Sequence, residues 1–433
     1  MRKTFEVIDI DRGFRLHVLP TDKFKTTSVR LILRQPLRAD TYTLTAVVPF
    51  VLRRGTRRLP TSRDIARHLE NLYGAEFGVD ITKLGETQNI ELSLDVAHDR
   101  FLPEQLGLTE QGLAFLGQVL LDPSAEDGAF RKEYVAQEAE ALRRRIESLI
   151  NNKPQYALNR LRQEMCRHEP FGLHKYGDVD ELRGIAPAAL YAHYRHLLAT
   201  SPVEVLVVGP VEPQQVAAWV RQHLSLPRAD VGEAGAAVPV SPPPREERTV
   251  IEELPVQQGV LALGYRTGVR YPDDDYPALL MYNGILGGFP HSKLFVNVRE
   301  KASLAYFASS QLEATKGVLT VVAGIAVDKY EKASAIIREQ VEAVAAGAFS
   351  DEELEHTRKG LINGVLSAQD SPGRIMGGRL VGLVNGRIRR VQEVIDDLQR
   401  VTREDVLKVA AGIRPDTVYF LRTPASGSRE EGR

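Results

Sequence analysis

The chain has 433 residues, of which 43% are apolar and 26% charged, enough for more than one core and about two or three domains. Its 56 basic and 57 acidic side chains leave a formal charge of −1. That balance supports neither a nucleic-acid binder nor a polybasic membrane binder, although a local patch stays open. The single cysteine, Cys166, excludes an intramolecular disulfide and a multi-cysteine zinc site, and fits a cytoplasmic protein.

In chain order, TSVRLILRQPL at 27–37 reads as a strand and LTAVVPFVLRRGT at 44–56 as an apolar helix. A shorter helix, a turn at Gly85 and the alternating strand NIELSLDVA follow, then a long helix from Glu133 to Ile150. VEVLVVG at 203–209 leads through GPVEPQQV into a plain strand–turn–helix. Residues 226–248 are rich in Pro, Gly and Ala, include Pro242 to Pro244 and lack amphipathic period, so they read as a linker. Beyond it the order repeats. GVLALGYRT at 259–267 is a strand, YPALLMYNGILGG at 276–288 an apolar helix, and a turn at Gly317 matches the one at Gly85. VLTVVAGIAV at 318–327 is the longest near-apolar run; its length and β-branching make it a buried strand, not a membrane span. Capping boxes Ser350/Glu353 and Thr402/Asp405 open later helices. The N-terminal MRKTFEVIDIDRGF carries acids where a secretory signal needs an apolar core. We read an internal duplication with domains at 1–225 and 249–433 joined by 226–248. Each is α+β, an antiparallel sheet with helices packed on one face.

Chemistry-bearing motifs are sparse. No histidine pair has HExxH or HxxEH spacing. His193 and His196 stand three apart on a helix, a pattern that suits an exposed face better than a metal. Asp273, Asp274 and Asp275 precede a helix they are placed to cap, and Glu133, Glu138 and Glu140 share a helix with Arg143 to Arg145 as a self-paired solvated face. Gly284, Gly287 and Gly288 form no phosphate-binding pattern, and there is no nucleophile elbow.

LFVNVREKASLAY at 294–306, with NGILGGFPHSKLF before it, resembles the C-terminal domain of insulinase/pitrilysin-type metallopeptidases. VLRRGTRRLPTSRDIARHLENLYGAEFG resembles the stretch after that family's zinc helix, and HKYGDVDELRGIAPAALYAHYRHLLATSPVEVLVVGPV the end of its first domain. The similarity runs through nearly the whole chain. It implies two homologous domains arranged as a clamshell. It also places Ala46, Val47, Val48, Pro49 and Phe50 on the HxxEH positions, and Ile146, with Glu147 one residue off, on the third-ligand position. None of the replacements at 46–50 binds zinc or moves a proton, and a lone glutamate cannot rebuild a site that needs three protein ligands. The resemblance therefore implies no metal, no other cofactor and no catalytic residue.

The same resemblance assigns Arg299 and Tyr306 to a pair that contacts the bound peptide across the chamber, where guanidinium and phenol donors suit a developing oxyanion. The plainer alternative is that Arg299 pairs with Glu300 or another acid while Tyr306 packs in the sheet. TDKFKTTSVRL, LENLYGAEFG and SLINNKPQYAL are similar to a non-catalytic bacterial branch, described as associated with elongation factor P modification and found beside an active relative. This implies a pseudo-peptidase that binds peptide or protein substrate with a zinc-containing paralogue as a heterodimer. The other reading is a stand-alone peptide-binding or scaffold homodimer. A cytoplasmic location, with neither nucleic acid nor membrane as partner, completes the expectation.

Overall fold

The structure is a computed structural model that describes residues 4–232 and 242–424; the middle of the 226–248 linker, 233–241, lies outside the described residues. The chain forms β1 (Glu6–Asp11), β2 (Phe14–Pro20), β3 (Thr26–Pro36), α1 (Tyr42–Leu52), α2 (Ser62–Asn71), β4 (Glu76–Leu84) and β5 (Thr87–Ala97). Next come α3 (Leu108–Leu121), the small hairpin β6 (Ala125–Glu126) and β7 (Ala129–Phe130), α4 (Lys132–Ser148), α5 (Lys153–Met165), α6 (Pro187–Thr200), β8 (Val203–Gly209) and α7 (Pro213–His223). The later part runs β9 (Arg248–Glu253), β10 (Gly259–Arg266), α8 (Tyr276–Asn283), β11 (Ala305–Glu313), β12 (Val318–Ile325), α9 (Tyr330–Ala345), α10 (Asp351–Ala368), α11 (Pro372–Val384), α12 (Val391–Arg400), α13 (Arg403–Ala410) and β13 (Arg414–Arg422).

Two compact units result, and they interleave along the chain. One holds residues 1–147, 173–236 and 371–380; the other holds 148–172, 237–370 and 381–433. Each unit thus carries a segment from the other half of the sequence.

The first unit has a six-stranded sheet in the order β1-β2-β8-β3-β5-β4. It is antiparallel except for β2 beside β8, a pairing the antiparallel reading did not include. Strand alternation sorts its residues. Phe14, Leu16, Val29, Leu31, Ile90, Leu92, Val203 and Val205 share a core with helices α1, α3, α6 and α7. Arg15, His17, Arg34 and Glu204 alternate with them and form a polar network instead. The Glu204 carboxylate, 1% exposed, accepts from Arg15 Nη2 at 2.6 Å, His17 Nε2 at 2.7 Å and Arg34 Nη1 at 3.2 Å. On α11, Arg379 Nη2 donates to His17 Nδ1 at 3.0 Å. A guanidinium only donates, so Nδ1 accepts and His17 is the neutral Nε2–H tautomer.

The second unit has a five-stranded sheet in the order β11-β12-β10-β13-β9, antiparallel but for β13 beside β9. Leu261, Leu263, Leu319, Val321, Val418 and Phe420 face the core shared with α8, α9 and α13. The alternate residues Val260, Ala262, Val322, Tyr419 and Leu421 pack on Ala157, Leu158 and Leu161 of α5. This sheet therefore has helices on both faces, where the sequence suggested one. The reason lies in β10 and β12, which are apolar at consecutive positions and offer two faces to bury. Charge pairs fasten the same segment. Arg266 donates to Asp416 at 2.8 Å and Glu169 at 2.7 Å, and the fully buried Lys316 meets Glu169 at 2.6 Å.

The described ends of the linker are tied down. Arg228 donates to the carbonyls of Arg12, Leu198 and Ser201, and Glu247 pairs with Arg338 at 2.6 Å. The aspartates before α8 do not cap it through their side chains. Asp274 pairs with Arg387, Asp275 with Lys408, and Asp273 accepts from the Arg270 amide.

Candidate functional site

Residues 46–50 occupy the middle of α1. Ala46 is fully buried and Phe50 is 5% exposed, its ring edge-on to Tyr176 at 6.3 Å between centroids. Pro49 sits inside the helix, where it removes one main-chain donor. Phe50, Arg53, Val79, Asp80, Glu138, Leu142 and Arg145 line a cleft of about 230 Å³.

Glu138, not Ile146, is the carboxylate that α4 brings to this cleft. Ile146 packs half-buried on the core, and Glu147 is drawn to Arg143. Glu138 interrupts the buried stripe Val135, Ala139 and Leu142 on one face of α4, a spacing that could have singled it out. Burial raises its pKa, against the pull of Arg53 at 3.8 Å and Arg54 at 3.4 Å. The solvated self-paired face expected for α4 holds for Glu140, which takes Arg143 and Arg144, but not for Glu138. Across the cleft Asp80 accepts from Tyr176 at 2.9 Å and lies 3.7 Å from Arg145.

This donor set does not fit zinc. The hydrophobic residues Ala46 and Phe50 offer no ligand, and Arg53 and Arg145 already supply positive charge there. Among the described residues, no group of three His, Cys, Asp or Glu side chains stands together so as to hold a metal ion. His193 and His196 have no third ligand beside them among the described residues. His193 Nε2 lies 2.8 Å from Thr45 Oγ1, and burial pushes its imidazole down to about 4, so it is not the exposed residue the helix pattern suggested.

Arg299 and Tyr306 come together in the second unit. Both line a cleft of about 380 Å³, with Gln258, Ser303, Ala305 and Ile325. Three backbone irregularities build it. Residues 294–301 form a widened π-helical turn, Ser303 has φ +50°, and the β11–β12 register shifts between Ala305 and Phe307. Tyr306 is the extra residue of that bulge, which turns it out of the sheet and leaves it 76% exposed. Arg299 lies over the Phe295 ring, 4.6 Å from its centroid. Neither plainer alternative describes the pair, since Tyr306 is not packed in the sheet and Arg299 makes no ion pair among the described residues.

A family model described as "Peptidase M16 inactive domain" matches residues 184–361. A Bacillus subtilis relative described as a probable inactive metalloprotease, YmfF, is 37% identical over 417 residues, 95% of this chain and 96% of the relative. The chain belongs to the M16 peptidase family. This is the insulinase/pitrilysin-type group to which the sequence motifs pointed. A solved structure of a conserved protein from Enterococcus faecalis V583 matches this M16 chain with a TM-score of 0.90 at 28% identity, over 97% of this chain and 99% of that one. The M16 inactive domain from Pseudomonas fluorescens gives 0.81 at 18% identity, over 97% and 98% of the two chains, and speaks to the fold alone. Within the M16 family this chain is an inactive homologue. The matched model and the B. subtilis relative are both described as inactive, and positions 46–50 read AVVPF.

Proposed function

We propose that this M16 homologue is a non-catalytic subunit that binds peptide for a zinc-containing paralogue, supplying Arg299 and Tyr306 as one wall of the substrate site. The observation that carries this reading is the contrast between the two clefts. The one beside α1 is lined by Phe50 and by side chains already ion-paired. The one beside β11 presents an exposed phenol and a guanidinium that meets no hydrogen-bond partner among the described residues. A guanidinium and a phenol are donors that a peptide carbonyl or a developing oxyanion can use. Degenerate metal positions at Ala46, Pro49, Phe50 and Ile146 belong to the same reading, with catalysis left to the partner.

Light scattering after size exclusion, on the chain alone and mixed with the zinc-containing paralogue from the same genome, tests the assembly. A one-to-one complex supports the proposal. A persistent homodimer that ignores the paralogue favours the stand-alone peptide-binding or scaffold reading.

A further inference from the structure

We infer that the cleft beside β11 is a carboxylate seat, so that the ligand it selects is a peptide carrying a carboxylate at the residue that meets Arg299. This rests on the peptide-binding reading above and deepens it. The cleft contains one charged side chain, Arg299, and no acid. Its other polar groups are the neutral Gln258, Ser303 and Tyr306, over a small apolar floor of Ala305 and Ile325. Several other arginines of this unit are matched to acids: Arg266 to Asp416 and Glu169, Arg338 to Glu247, Arg387 to Asp274.

Arg299 differs. Its guanidinium carbon lies over the Phe295 ring, while its N–H groups meet no carboxylate among the described residues. A planar fork of donors matches the two oxygens of a carboxylate, and a charge-assisted pair of this kind is about twice as strong as a neutral hydrogen bond. A neutral carbonyl would leave most of that donor capacity unused. Tyr306, turned outward by the bulge, adds one more donor on the same rim. The carboxylate can come from a peptide C-terminus or from an Asp or Glu side chain, and the experiment separates them.

The full chain is titrated with one fluorescent peptide in three forms, read by anisotropy. The forms are an amidated peptide without Asp or Glu, its free acid, and the amidated peptide with one central Glu. Binding of one acid form about tenfold tighter than the plain amide, with the gap closing in Arg299→Ala and partly kept in Arg299→Lys, is the expected result. Whichever form gains identifies the source of the carboxylate. Equal binding of all three forms, each weakened by Arg299→Ala, overturns the carboxylate seat and leaves the peptide wall standing. A preference for acid that survives Arg299→Ala overturns its location. Failure of all three to bind at millimolar concentration overturns both readings. Arg299 is exposed, and thermal melts of the variants establish that they fold.

Discussion

Two glutamates, each enclosed by arginines, carry opposite consequences. Glu204 is 1% exposed and holds Arg34, itself 4% exposed, on the polar side of the first sheet. Glu204→Gln strands a buried guanidinium and is expected to lower unfolding free energy by about 3 kcal/mol in urea titrations. Glu138 is also buried, but Arg53 and Arg54 are partly solvent-exposed and can turn to water without it. Glu138→Leu completes the apolar stripe of α4 and is expected to change stability by less than about 1 kcal/mol. Leu142→Ala, in the same stripe, should cost about 2–5 kcal/mol. A large loss in Glu138→Leu would mean that the cleft depends on its carboxylate.

Elements that follow one local rule were readable in advance. The capping boxes at Ser350/Glu353 and Thr402/Asp405 are formed, and both hairpin glycines, Gly85 and Gly317, have positive φ. VLTVVAGIAV yields the wholly buried strand β12. What long-range contact decides was not readable. The periodicity of α5 gives it an apolar face, and nothing local says that the sheet it covers begins about a hundred residues later. The π-helical turn and bulge that expose Tyr306 likewise leave no residue-level mark, because both arise from how the chain joins the strands. The assignment of α5 to the second unit has its own check. Leu161, fully buried against that sheet, should cost about 2–5 kcal/mol as Leu161→Ala. Hydrogen exchange should then show β10 and β13 loosening together, whereas loosening confined to β3 and β5 would contradict the assignment.

Several histidines are held neutral across the molecule, and their titration sets a stability window. Burial lowers His17, against the pull of Glu204 and with opposition to charge from Arg379 and Arg15. It takes His174 and His193 down to about 4. These groups bind protons in the unfolded chain below about pH 6.5 but resist them when folded, so stability is full above that pH and falls as pH drops toward 4. The urea midpoint should be lower at pH 5 than at pH 7.5, and His193→Gln should flatten part of the difference. A midpoint that rises on acidification would contradict the burial of these imidazoles. No helix among the described residues is long and apolar enough to cross a membrane. The M16 family and the α+β class with two sheets were legible in the chain. The exchange of segments between units and the placing of Glu138 beside Asp80 in the cleft needed the fold.

In the proposed role, this inactive M16 chain serves peptide cleavage through Arg299 and Tyr306 while a paralogue brings the metal. The direct measurement is the rate of peptide cleavage by the zinc-containing paralogue mixed with this chain, wild type against Arg299→Ala and Tyr306→Phe. The chain alone is expected to be inactive, the mixture to cleave, and each substitution to lower the rate of the mixture about tenfold or more with the complex intact. Unchanged cleavage by the substituted mixtures, or cleavage by this chain without its partner, would contradict it.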